Sequence, residues 1–108
     1  MITQKLRKKI YDRDGWQCVA CGTPAGLTIN HRKNRQMGGS KSLDIPENLI
    51  TMCGAHNQAL EMDAEYAEIG RKNGWKLRQW DDPAVIPVRY PDGISWLLTC
   101  LLYTSPSP

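Results

Sequence analysis

Between Leu27 and Glu61 the chain reads LTINHRKNRQMGGSKSLDIPENLITMCGAHNQALE. Leu27 to His31 alternate apolar and polar residues, which predicts a short strand. Arg32 to Pro46 form a long basic loop around Gly38-Gly39, with a returning strand. Asn48 to Met52 then lead into Cys53-Gly54-Ala55-His56. A helix is expected from about His56 to Asn73. Within it Met62, Tyr66 and Ile69 make an apolar stripe, and Glu61, Glu65 and Glu68 a polar one. Gly74 stands where a helix C′ stop belongs. A hairpin followed directly by a helix makes the expected class α+β.

Upstream lies Cys18-Val19-Ala20-Cys21, and Cys53 and His56 repeat the same spacing. Two such knuckles bring three thiolates and an imidazole to one tetrahedral point, which suits Zn²⁺. The chain between Cys21 and Cys53 is longer than in a simple finger, so a functional insert sits between the knuckles. Buried free cysteines are the bland alternative. A redox CxxC is disfavoured because no thioredoxin-like βαβ pattern accompanies it. Further out, Leu6 and Ile10, with Tyr11 beside them, predict an N-terminal helix over 3–14, with Thr3 as N-cap and Gly15 ending it. After Gly74, Trp75–Trp80 and Val85–Tyr90 read as strands. The latter is joined to Ile94–Leu98 by the turn Pro91-Asp92-Gly93, which predicts a C-terminal β-hairpin. Trp75, Trp80 and Trp96 read as core residues rather than base-stacking platforms.

The chain has 108 residues, about one domain. With 41% hydrophobic and 23% charged residues it reads as globular rather than disordered. It has no apolar run near the roughly 20 residues that span a bilayer, and no apolar stretch follows the basic N-terminus to make a secretory signal. The expected compartment is the cytoplasm, that of the host if the gene is phage-borne. Residues 1–60 hold nine Lys/Arg against four Asp/Glu, and 61–108 hold five against seven. A basic half fits a polyanion such as nucleic acid, and equally a plain solvated surface. Cys100 to Pro108, CLLYTSPSP, carry no charge and no period. They resemble the translation of a sequencing-library transposon end, so the expected domain is 1–99 and the expected tail, 100–108, is adaptor-derived. Cys100 then falls outside the zinc count.

The stretch Cys18 to Glu61 resembles the HNH nuclease family. That family's pattern is an acidic residue or His followed by His, a basic loop with Gly-Gly, a Pro-Glu-Asn-Leu segment, and a knuckle followed at once by His or Asn. Asn30-His31, Gly38-Gly39, Pro46-Glu47-Asn48-Leu49 and Asn57 stand at those places. Phage-encoded members also resemble the downstream GWKLRQWDDP, residues 74–83. The resemblance implies a small ββα-metal core that holds a catalytic metal between a hairpin and a helix. Two registers remain open. His56 is either the fourth zinc ligand, with Asn57 the last motif residue in an H-N-N variant, or itself the last motif residue, with zinc one ligand short. The first is favoured because it completes two equal knuckles.

Phosphodiester hydrolysis needs a nucleophilic water, a base, and positive charge on the scissile phosphate. His31 is the best base, since imidazole titrates near neutral pH, and the resemblance gives it the same role. By family position Asn30 and Asn57 are the inner ligands of a divalent ion, and Asn48 holds the hairpin and orients His31. Glu61, at i+4 from Asn57, would add the missing charge, or is simply solvated. Oxygen donors point to Mg²⁺ or Mn²⁺. Arg32, Lys33, Arg35 and Lys41 flank the hairpin and would contact DNA phosphates. The leading expectation is a metal-dependent DNA endonuclease. The alternatives are a zinc-stabilised nucleic-acid-binding module with weak or no catalysis, and a structural zinc ribbon.

Overall fold

The structure, a computed structural model, describes residues 3–33, 45–78 and 80–98. Helix α1 (Gln4–Arg13) precedes strand β1 (Leu27–His31). A 3₁₀ turn (Pro46–Asn48) leads into β2 (Leu49–Cys53), followed without a break by α2 (Gly54–Met62) and then α3 (Ala64–Asn73). Strands β3 (Val88–Arg89) and β4 (Ser95–Trp96) close the order. The described residues thus form an α+β domain with three α-helices and two small antiparallel sheets, β1–β2 and β3–β4.

Thr3 caps α1 by accepting the Leu6 N–H at 3.1 Å, as its residue type predicts. The helix docks along the outer edge of β2. An unpaired strand edge presents backbone groups that need partners. The buried Arg13 and Asp14 supply them: Arg13 donates to the Leu49 and Pro46 carbonyls, and Asp14 Oδ2 accepts the Thr51 N–H at 2.9 Å. The Val19 N–H donates to the Thr51 carbonyl on that same edge, at 3.0 Å. In the hairpin Leu27 pairs with Cys53, Ile29 with Thr51 and His31 with Leu49. All five residues of β2 are buried. Ile50 and Met52 join Cys18, Val19, Leu60, Trp75, Val88, Tyr90 and Leu98 in one core cluster.

The single helix expected over 56–73 is two helices. Asp63 breaks it, because its carboxylate accepts the Glu65 and Tyr66 N–H groups and starts α3 afresh. The break turns the expected stripe. Met62 is 77% exposed and Ile69 46%, while Leu60, Ala67 and Gly70 are buried. Gly70 lets the helices close, since a Cβ there would strike the Leu60 side chain. Gly74 ends α3 in the left-handed region, φ 78°, and a Cβ there would strike the Pro87 carbonyl.

The expected strand over 75–80 is absent among the described residues. Trp75 and Lys76 bond back to the Gly70 carbonyl, and Leu77 to that of Arg32, so isolated bonds replace a ladder. Trp75 is buried, with its indole N–H on the Arg89 carbonyl, and Trp96 is half-buried. Trp80, expected in the core, is 75% exposed. The C-terminal hairpin keeps its predicted turn, with Gly93 at φ 85° and its N–H on the Tyr90 carbonyl, but only two residues per strand pair. The loop centre with Gly38-Gly39, Arg35 and Lys41, and the tail with Cys100, lie outside the described residues.

Candidate functional site

The two knuckles meet. The ligand atoms of Cys18, Cys21, Cys53 and His56 all lie within 4.8 Å of one another. Cys21 Sγ is 4.0 Å from Cys53 Sγ, and Cys53 Sγ is 3.1 Å from His56 Nδ1. Thiolates bound about 2.3 Å from a tetrahedral ion stand roughly 3.8 Å apart, so the donors fit a metal such as zinc. His56 stands among the four, as the favoured register requires.

Local structure builds each half. The Gly22 N–H closes a tight turn on the Cys18 carbonyl at 2.8 Å, and the Cys18 N–H reaches the Thr23 carbonyl. Cys53 ends β2 and serves as the N-cap residue of α2, so the strand-to-helix junction aims Cys53 and, one turn on, His56 at the same point. Burial opposes ionisation of the Cys18 thiol. Hydrogen bonding from the backbone of Cys53, Cys21 and Ala20 outweighs it and holds the thiol below its ordinary value. Desolvation, with the Cys18 thiol beside it, pushes Cys21 up, although Cys21 is the exposed member. Tyr66 lies over the cluster, its ring 5.5 Å from that of His56. Burial and then the three thiols push its phenol up to about 12. The expected helix stripe gave Tyr66 only a packing role.

The hairpin residues take more varied positions. Thr28 and Asn30 share one face of β1 by alternation, and Asn57 Nδ2 donates to Thr28 Oγ1 at 2.9 Å. Asn57 is thereby joined to the strand that carries Asn30. Asn30 is buried and donates through Nδ2 to the Trp75 carbonyl at 3.1 Å. His31, the last residue of β1, lies by the same alternation on the other face, and is half-buried. Asn48 closes the hairpin. Its Oδ1 accepts the Lys33 N–H at 2.8 Å and its Nδ2 donates to the Lys33 carbonyl at 3.2 Å. Glu61 does not join them: it is exposed and pairs with Lys76 at 3.3 Å. Among the described residues, the cysteine–histidine group is the one cluster of His, Cys, Asp and Glu placed to hold a metal.

No family model, curated protein or solved structure matches this chain.

Arg32 corrects the expected phosphate contacts. It is 1% exposed, and its guanidinium donates to the carbonyls of Gly74, Glu47, Pro83 and Ile86 at 2.6–3.0 Å. That consumes four of the five N–H donors of an arginine and leaves no face for DNA. Burial, then the nearby Arg13, pulls its pKa down to about 10. Nothing in the sequence separates such an arginine from the surface cations around it. Lys33 is half-buried and donates to the Asp81 carbonyl at 3.0 Å, one of the three bonds an ammonium can make. Among the described residues no helix is long and apolar enough to cross a membrane.

Proposed function

We propose that the protein is a metal-dependent endonuclease that hydrolyses DNA phosphodiester bonds, built on an HNH-type ββα core held by a structural zinc ion. One observation carries this reading. Strands β1 and β2 run directly into α2, Asn57 of that helix is joined to β1, and a Cys₃His cluster sits at the junction. His31 then acts as general base and takes a proton from the attacking water. General-base catalysis contributes about 10²–10⁴-fold. Asn48 fixes the backbone two residues beyond His31 and so positions it. Asn30 and Asn57 would hold a divalent ion through their amide oxygens, which suit Mg²⁺ or Mn²⁺. When bound, that ion supplies positive charge to the phosphate and the leaving oxygen. Lys33, with Arg35 and Lys41 of the loop, would hold the DNA backbone.

A second reading is a zinc-stabilised nucleic-acid-binding module with weak or no catalysis. It is favoured by a donor set without charge, because Glu61 is turned to Lys76 and both amides already hold structural bonds. A plasmid-nicking assay with and without Mg²⁺ or Mn²⁺, beside His31→Ala, decides between them. The nuclease reading expects metal-dependent nicking that falls about 10²–10⁴-fold in the variant. DNA binding without nicking in either metal leaves the module.

A further inference from the structure

We infer that the exposed face of α1 is a second nucleic-acid contact surface, taking a strand with unpaired bases: its phosphates on Lys5, Lys8 and Lys9, and one base on Trp16. The class of partner rests on the functional reading above. The surface itself rests on α1 and Trp16.

Charge is the first observation. The chain has fourteen basic and eleven acidic residues, and residues 3–14 hold five and two of them. The remainder is balanced, nine against nine, so the whole excess sits on this segment. Arg13 and Asp14 neutralise each other in the interior. Lys5, Lys8 and Lys9 are exposed, and their i, i+3, i+4 spacing puts them on one stripe with Asp12. From Lys5 to Asp12 that stripe is about 10 Å long at 1.5 Å per residue. A nucleic-acid strand advances about 3.4 Å per phosphate, so it matches roughly three nucleotides.

Trp16 is the second, independent observation. It has φ 55°, the one non-glycine residue in the left-handed region among those described, and a bulky side chain rarely sits there. Its ring is nonetheless held in place. The indole N–H donates to Asp12 Oδ1 at 2.7 Å, and the ring lies 4.9 Å from that of Tyr11. It is 48% exposed at the end of the lysine stripe. Backbone strain that persists under such fixing is concentrated at functional sites. An exposed, fixed indole offers a π-face to any unpaired base. Lys8 pairs with Asp12 at the surface, a bond weak enough for a phosphate to displace.

The test is a fluorescence-anisotropy titration of labelled single-stranded and duplex oligonucleotides. It uses the full zinc-loaded chain without added Mg²⁺ or Mn²⁺, so that no strand is cut. The double variant Lys5→Glu/Lys9→Glu should weaken binding of both ligands and lower the salt slope by roughly two. Trp16→Gly, which suits the left-handed backbone and so leaves the fold intact, should weaken single-strand binding about tenfold and leave the slope unchanged. Parental affinity in both variants would overturn the inference, as would a parent that binds phosphatidylserine vesicles and neither oligonucleotide. Loss of binding in the variants, with no nicking by the parent when Mg²⁺ or Mn²⁺ is supplied, leaves this surface standing and removes only the nuclease reading.

Discussion

The phenol of Tyr90 donates a 2.6 Å hydrogen bond to Oδ1 of Asp14, joining the C-terminal hairpin to the end of α1. The same carboxylate is gripped by Arg13 Nε at 2.8 Å and Nη2 at 3.0 Å, and it accepts the Thr51 N–H. Burial disfavours the Arg13 charge, but the Asp14 carboxylate more than restores it. Burial, then Asp14, pushes the Tyr90 phenol far up, so it remains a donor. Removing one member of a buried charged pair costs more than removing a neutral neighbour. Asp14→Ala should therefore cost about 3–5 kcal/mol. Tyr90→Phe should cost about 1–3 kcal/mol. Urea unfolding of zinc-loaded protein measures both, and equal losses would contradict this order.

Thr51 stands beside that network with its buried hydroxyl unpartnered. An unsatisfied buried hydroxyl costs about 1–3 kcal/mol, and valine has nearly the same shape. Thr51→Val should leave stability unchanged or raise it by about 1 kcal/mol. A loss above that in the same urea experiment would mean that the hydroxyl has a partner.

Arg32 offers a contrasting case. Arg32→Met keeps much of the volume but strands the carbonyls of Gly74, Glu47, Pro83 and Ile86. Each orphaned group costs about 1–3 kcal/mol, so the variant should be unfolded or severely destabilised. Arg32→Lys should rescue little, because an ammonium lacks the fork. Circular dichroism melts provide the measurement. A stable Arg32→Met that has merely lost DNA affinity would restore Arg32 to the phosphate contacts.

Metal analysis of folded protein should find one zinc per chain. Chelation should unfold it, since affinity in small sites is largely folding free energy. Zinc retention should fall with acid, because the thiols must be deprotonated to bind. Cys21→Ser should lose zinc, whereas Cys100→Ser should keep it. Loss of zinc in Cys100→Ser would contradict the adaptor reading of the tail.

Glu61→Ala should change stability by no more than about 1 kcal/mol, because its pair with Lys76 is exposed. It should also leave the divalent-metal dependence of nicking nearly unaltered. A shift in the Mn²⁺ requirement would show that Glu61 turns inward when metal and DNA are present.

The Cys₃His cluster, β1, the Thr3 cap and the Gly74 stop were legible because each is built from local patterns of residue type and spacing. Asp63 was not, since a helical period can run unbroken through a residue that caps the next helix. The tryptophans divide for a similar reason: Trp75 finds the Arg89 carbonyl for its indole and Trp80 has no comparable anchor among the described contacts. Lysine and arginine beside a hairpin read alike in one dimension. Only the tertiary placement of the Gly74, Pro83 and Ile86 carbonyls turns Arg32 inward.

That placement governs how the molecule comes apart. Among the described residues between Gly74 and Val88 the backbone runs without a ladder, which ordinarily means a segment that frays on its own. Here the residue after β1 holds that run at Gly74, Pro83 and Ile86 through one planar group. Peeling the run away breaks all three of those bonds at once, so the segment and the hairpin should open together. Hydrogen exchange should report Leu77, whose N–H is bonded to the Arg32 carbonyl, opening together with the β1–β2 amides.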